Sequence, residues 1–411
     1  MKKSILSPSM SINKKHFISY LYIFLLLAFS GNPFFSFGGD NLYTQFIFVT
    51  LVVFLSVIHL DYFRLNNKEV LPFFWYIGLY ILLFIIQVIN LKFVSIQGAV
   101  GFILKITFGY IVARFLGEQL KLYYFNAIYF LSLISLIGFS LSLADFEFPN
   151  FLNESRETIK SMVVYTENKS DIKQGIRNSG MFWEPGAFAG YICLLFLLFL
   201  GQFKHLFRQN KFRLIIILTA LITTFSTTGY LVFFLIVMIT ITKEYLKRHF
   251  ILGSVLITSL IMIGFLIYSN TSFLSEKITY QYETLQDLSG DYSSTRFGAL
   301  AFDMHYIKKN PITGNGMHES TRYIDHPWLQ KEHLGHGNGF SNFIASMGFF
   351  GIAIFMVYLV RYKTKYRWIF LLCIIALLQG EQYLNFPLFL SLPFFFIHEN
   401  RNTSYLPQQK R

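Results

Sequence analysis

Long apolar runs recur from one end of this chain to the other. A helix needs about 20 apolar residues to cross the roughly 30 Å hydrocarbon core of a bilayer. The runs fall at 17–31, 42–60, 71–90, 94–115, 121–144, 181–201, 212–226, 228–242, 250–268, 339–360, 366–380 and 383–397. Charged residues make up 14% of the sequence and hydrophobic ones 54%, whereas an ordinary soluble domain is roughly 25% charged. The expectation is an all-α, polytopic membrane protein of about twelve transmembrane helices, with residues 1–411 as a single integral membrane domain. The first run, 17–29, is not followed by a small-residue cleavage pattern, so it is expected to remain as the first span.

A formal charge of +13 invites a nucleic-acid reading, but the positions of the charges exclude it. With the N-terminus placed in the cytoplasm, most of the lysines and arginines fall on that side, in the two tails and in short loops such as "KHLFRQNKFR" and "RYKTKYR". This is the positive-inside pattern of membrane topology. It places both termini inside and two long segments, 145–180 and 269–338, outside the cytoplasm. Cytoplasmic loops are short, so any chemistry belongs to the outer face. Cys193 and Cys373 lie within apolar runs and read as small buried hydrophobes. No internal repeat is visible, which weighs against a transporter built from matched halves.

The stretch "RNSGMFWEPGAFAGY", Arg177 to Tyr191, puts charge directly before an apolar run. Proline favours the first turn of a helix and disfavours helix in the residue before it. Pro185 is therefore expected to open the sixth span, with Glu184 at its N-cap. The free amides of that first turn and the helix dipole make an anion site, over which Arg177 can close with a fork matched to phosphate oxygens. The alternative is a structural latch between Glu184 and Arg177. In the second long segment, "STRFGALAFDMHYIKKNP" has the spacing of an amphipathic helix ended by Pro311, capped by Ser294 or Thr295, with Arg296 in its first turn. A lone arginine there opposes the dipole and calls for a counter-ion, either Glu184 or an anionic ligand.

Three further features carry chemistry. Lys105 lies mid-span, where a charge is costly unless it is paired or faces a cavity; it can meet a lipid phosphate or a carboxylate such as Glu381. "FSTTGYLVFF" reads as a tight hairpin whose second helix is capped by Ser226, Thr227 or Thr228. Five histidines (His305, His318, His326, His333 and His336) share the second long segment, but their spacing fits no zinc signature. One histidine acting as a general base is the more economical reading. No metal and no cofactor is expected.

These residues together resemble the superfamily of bacterial membrane glycosyltransferases that contains Wzy-type polysaccharide polymerases and WaaL-type O-antigen ligases. The resemblance rests on "RNSGMFWEPGAFAGY", "STTGY", "RFGALAFDMHYIKKNPITGNG" and "HGNGFSNFIASMGFFG" in that order, over roughly 175–355. It implies an enzyme that transfers a glycan en bloc between undecaprenyl-diphosphate carriers at the outer face of the inner membrane, using no nucleotide sugar. The particular expectation is a repeat-unit polymerase; a ligase that transfers glycan to a lipid A core is the alternative, and a sugar-lipid transporter is the alternative of another class. Carried over by position, Arg177 and Arg296 bind the donor diphosphate and His336 is the catalytic histidine; Asn338 and Lys105 are expected among the substrate-binding residues beside them. Glu184 competes with His336 as the base or orients Arg177. In the ligases the histidine is followed directly by a polar residue, whereas here Gly337 separates His336 from Asn338. The implied partners are lipid-linked donor and acceptor glycans, the bilayer, and a chain-length regulator and flippase of the same pathway, with no nucleic acid.

Overall fold

The computed structural model describes residues 12–36, 42–64, 70–93, 95–152, 158–169, 175–241, 296–324, 337–361 and 366–396, with isolated positions between 251 and 262. It is mostly helical. The helices of the first half are α1 (Ile12–Ala28), α2 (Pro33–Ser36), α3 (Leu42–Ile58), α4 (Val70–Leu91), α5 (Ile96–Leu116) and α6 (Leu120–Leu143). There follow α7 (Pro185–Leu198), α8 (Phe203–Gln209), α9 (Lys211–Thr223) and α10 (Thr227–Ile241). The last are α11 (Arg296–Lys309), α12 (Glu319–Arg322), α13 (Gly339–Arg361), α14 (Arg367–Leu378), α15 (Pro387–Leu390) and α16 (Leu392–Phe395).

Among the described residues, three stretches are long and apolar enough to cross a membrane: α4, the run of α5 with α6, and α13. The pair α7 and α8 qualifies as a bent unit, turning by 107°. Helix α4 shows why this is a membrane fold. It buries Phe73, Tyr76, Tyr80, Leu83 and Gln87, while Trp75, Ile81, Ile85 and Ile89 stand exposed. An exposed face made of large apolar side chains suits lipid and not water. At the centre, every residue of α7 is buried. The 48-residue run of α5 and α6 is divided at Gly117, whose positive φ of 53° stops α5.

Twelve spans are more than the described helices show. Residues 383–397, expected as one span, form a 3-10 turn at Tyr383–Asn385 followed by the short helices α15 and α16. Pro387 and Pro393 each sit in the first turn of one of these pieces, and a proline inside a continuous helix would remove a hydrogen bond and clash with the preceding turn. The expected span 250–268 lies largely outside the described residues.

Helix α13 breaks at Gly348, which has φ 69° and ψ 177°. A break in mid-span leaves backbone groups without partners, a costly state away from water. The segment after α11, "PITGNG", supplies them. Pro311 O and Ile312 O accept from Phe349 N at 2.8 Å and Phe350 N at 3.0 Å, and Asn315 N and Gly316 N donate to Ala345 O and Ser346 O, both at 2.9 Å. Gln87 of α4 closes the joint, its amide donating to Thr313 O at 2.6 Å and Ser346 O at 2.9 Å. A Cβ at Gly314 would run into Ser346 O and Gly348 N. This glycine-rich segment thus fills the kink of a helix and fixes α11 to α13.

One part of the chain is not helical. The segment expected as a polar loop at 145–180 holds four short strands, β1 (Asn150–Leu152), β2 (Thr158–Met162), β3 (Tyr165–Lys169) and β4 (Ile176–Asn178). They form an antiparallel meander in sequence order. Each strand is three to five residues long, too short for an alternating pattern to declare itself. The meander is seated on the bundle by Tyr165, whose ring packs on Gly138 and whose hydroxyl hydrogen-bonds Ser142 at 3.0 Å. Asn32 adds donations to Val163 O at 2.6 Å and Met181 O at 2.9 Å.

Candidate active site

Strand β4 determines where Arg177 points. Its register opposite Asn168 is locked by Asn178, whose amide donates to Ser135 Oγ at 3.1 Å and Thr223 Oγ1 at 2.9 Å while its carbonyl accepts from Gly180 N at 3.0 Å. Arg177 then reaches the α9–α10 turn, donating to Thr224 O at 3.2 Å and Phe225 O at 3.0 Å. The guanidinium therefore holds the hairpin turn that the sequence placed at the same face. Burial lowers its pKa, and the carboxylates of Glu184 and Glu381 pull the other way.

The N-terminal ends of four helices meet beside it. Ser226 caps α10, accepting from Gly229 N at 3.2 Å. Thr228, in the first turn of α10, accepts a hydrogen bond from Arg296, the first residue of α11. Arg296 also lies 3.7 Å from Glu381 Oε1. A Cβ on Gly186, in the first turn of α7, would land on that same oxygen, and one on Gly339, at the start of α13, would strike Glu381 O. Glu381 thus stands where α7, α10, α11 and α13 begin. Burial, and next the neighbouring Glu184 carboxylate, push its carboxyl well above the ordinary carboxylate range, against the two arginines.

Several expectations change here. Glu184 adopts the extended backbone of an N-cap, with φ −140° and ψ 150°, and Pro185 opens the helix as read. Its side chain makes no cap hydrogen bond and stands exposed. Of the two glutamates, Glu381 is the buried one. The counter-ion of Arg296 is Glu381, and no ion pair joins Lys105 to it among the described residues. Asn338 is buried, with its amide on Gln379 Oε1 at 2.7 Å and its carbonyl accepting from Ser341 N at 3.1 Å. It caps α13. His336, with Ser294, Thr295, His326 and His333, lies outside the described residues. His318 is taken by Ser320 at 2.7 Å, and its ring lies tilted against Phe93.

Sequence reasoning named Glu381 only as a candidate partner of Lys105, and did not pair Asp303 with Arg322. Helices α11 to α14 lie between Arg296 and Glu381 in the chain, and only its unusual place next to an apolar run marked Glu381. A second buried ion pair, Asp303–Arg322, lies behind the α13 N-terminus. Ser341 donates to Asp303 at 2.6 Å, and the Tyr306 and Tyr323 rings flank the guanidinium. Asp303 sits within the quoted stretch "RFGALAFDMHYIKKNPITGNG" with no role assigned to it there, and Arg322 lies outside every motif.

Fold and site together define a helical membrane protein with two arginines and a carboxyl pair gathered where helix N-termini converge. Residues 212–356 match the family described as O-antigen ligase (Wzy_C). The match takes in the α9–α10 hairpin, Arg296 with α11, and the kinked helix α13. That match supports membership of the O-antigen ligase and polymerase superfamily. It matches no curated protein.

Proposed function

We propose that the protein is a membrane glycosyltransferase that polymerises undecaprenyl-diphosphate-linked repeat units at the outer face of the bacterial inner membrane. The observation that carries this reading is the meeting of Arg177 and Arg296 at one site. They come from a strand and a helix more than a hundred residues apart, and they lie close enough for their charges to interact. Helix N-termini favour anions, and guanidinium forks grip phosphate oxygens, so the site suits a diphosphate. The lysine and arginine asymmetry supports an outward-facing site with both termini cytoplasmic. Donor and acceptor glycans, the bilayer, and a chain-length regulator and flippase are the partners this reading implies.

In this role the arginines hold the donor diphosphate as it becomes the leaving group, and their charge offsets what develops on it. His336 is the base that takes the acceptor proton, and Glu184 orients Arg177. Asn338 acts indirectly, by fixing the start of α13. Lys105 serves a lipid phosphate. The family match is equally compatible with the second reading, transfer of glycan to a lipid A core, which differs only in the acceptor. The transporter reading has no support from the family match.

The test is reconstitution of the full chain with lipid-linked repeat units. A ladder of lengthened lipid-linked glycans without lipid A establishes the polymerase. Product only when a lipid A core is supplied establishes the ligase. No transfer from a prenyl diphosphate donor to either acceptor refutes both.

A further inference from the structure

Helix α11 carries a second basic feature, away from Arg296. Phe297, Ala301, Met304 and Lys308 recur at spacings of four, three and four, which sets them on one side of the helix. Phe302, Asp303, Tyr306 and Ile307 are buried on the other. The stripe is open: Phe297 is 43% exposed and Met304 40%. At its far end an open hollow of about 560 Å³ is lined, among the described residues, by Ala301, Met304, His305, Lys308 and Lys309. Lysines in a last turn suit the helix dipole, but the dipole calls for no hollow beside them. The turn that follows rests on the end of α4, where Gln87 donates to Thr313 O at 2.6 Å and a Cβ on Gly316 would meet Leu91. Because α4 is long and apolar enough to cross a membrane, its last turn marks the level of lipid head groups. Lysines beside that level hold their ammonium groups among those heads.

Polymerisation brings two prenyl diphosphates to one protein. The donor's, at Arg177 and Arg296, becomes the leaving group. The acceptor's takes no part in the bond change, and it stands away from the first by the length of the acceptor glycan. Arg296 and Lys308 lie about 18 Å apart along one helix, at 1.5 Å per residue, a span of a few sugar rings. We propose that the hollow on α11 is a second diphosphate site, which holds the carrier of the acceptor through Lys308 and Lys309, and that the acceptor glycan lies back along the Phe297–Met304 stripe toward Arg296. Lysine is a compact point charge on a flexible stem and meets a phosphate without imposing the geometry of a fork, which suits a head group that is anchored and not reacted. The arginines serve the diphosphate that changes, and the lysines the one that does not. This rests on the polymerase reading above.

The experiment uses the full chain in phosphatidylcholine nanodiscs, with a labelled prenyl-diphosphate repeat unit, its own acceptor hydroxyl capped, as donor. Two acceptors are compared, neither able to donate. One is the repeat unit joined to a prenyl diphosphate through a methylene in place of the anomeric oxygen; the other is the same repeat unit as a neutral alkyl glycoside. The expected result is a KM lower for the diphosphate acceptor on the order of 10–30-fold. Lys308→Ala should raise that KM about fivefold, and Lys308→Ala with Lys309→Ala should bring it close to the value for the neutral acceptor. The kcat should hold, as it does when binding common to ground and transition states is lost. Equal KM for the two acceptors in wild type, or a preference unchanged in both lysine variants, overturns the proposal. So does a loss that falls on both acceptors alike, or a lysine effect seen only when phosphatidylglycerol is added, which assigns the hollow to bulk phospholipid. No transfer to either acceptor, or transfer indifferent to Arg296→Ala, removes the polymerase reading and this proposal with it. Both lysines are exposed, so the variants should fold, and the single change reads the site if the double does not.

Discussion

Replacing Gly348 with alanine should unseat the joint that holds the candidate site together. Gly348 has φ 69° and ψ 177°, a region open essentially to glycine alone, and forcing another residue into it costs on the order of 1–3 kcal/mol. The new Cβ would also point directly into Ile312 O. Relief requires the "PITGNG" segment to withdraw, with loss of the bonds from Phe349 N and Phe350 N. Each such bond contributes about 0.5–1.5 kcal/mol net, so the total destabilisation should be on the order of 2–6 kcal/mol. Gly78→Ala, in α4 with nothing within 4 Å of the added carbon, is the control and should be neutral or stabilising by up to about 1 kcal/mol. Denaturant unfolding of both variants in mixed micelles measures the difference. Glycan transfer should fall as well in Gly348→Ala, because α11 carries Arg296 and hangs from this joint. Equal stability of the two variants, within about 0.5 kcal/mol, would refute the account of the kink.

Other consequences follow from the same contacts. Arg296→Ala should weaken donor binding on the order of 10–100-fold, since a charged hydrogen bond contributes roughly 1.5–3 kcal/mol, and Arg296→Lys should rescue poorly because it loses the fork; normal long-chain product from the lysine variant would count against a bidentate role. Asp303→Ala leaves Arg322 buried and unpaired and should destabilise by about 3–5 kcal/mol, read by unfolding; removing both charges together should cost less than the single change. Burial raises the Glu381 carboxyl in the folded protein, so its contribution to stability is present below the ordinary carboxylate range and is lost as pH rises through the raised value; Glu381→Gln should flatten the alkaline fall in stability, and an unchanged pH profile would contradict the burial argument. Reporter fusions at Asn168 and Glu319 should behave as extracytoplasmic, and a cytoplasmic signal from either would overturn the proposed topology.

Much of the architecture was legible in the order of residues because lipid enforces a simple rule. A backbone that must satisfy its own hydrogen bonds in hydrocarbon becomes helix wherever apolar residues run long enough, and α4, α5, α6 and α13 lie where those runs are. Local chemistry was legible too: Pro185 opens α7, Ser226 caps α10, and Arg296 begins α11, each determined by neighbours within one turn. The strands β1 to β4 were not, since their pairing is set by the surface of α6 under Tyr165. Nor was the distinction between Glu184 and Glu381. Both are glutamates beside apolar runs, and only the packing of Gly186 and Gly339 puts one of them inside and leaves the other in solvent. Sequence by itself determined that this is a helical membrane chain with arginines at the ends of its runs. Tertiary structure alone decided which arginine meets which carboxylate, because burial and charge pairing belong to the space between helices and not to any one of them.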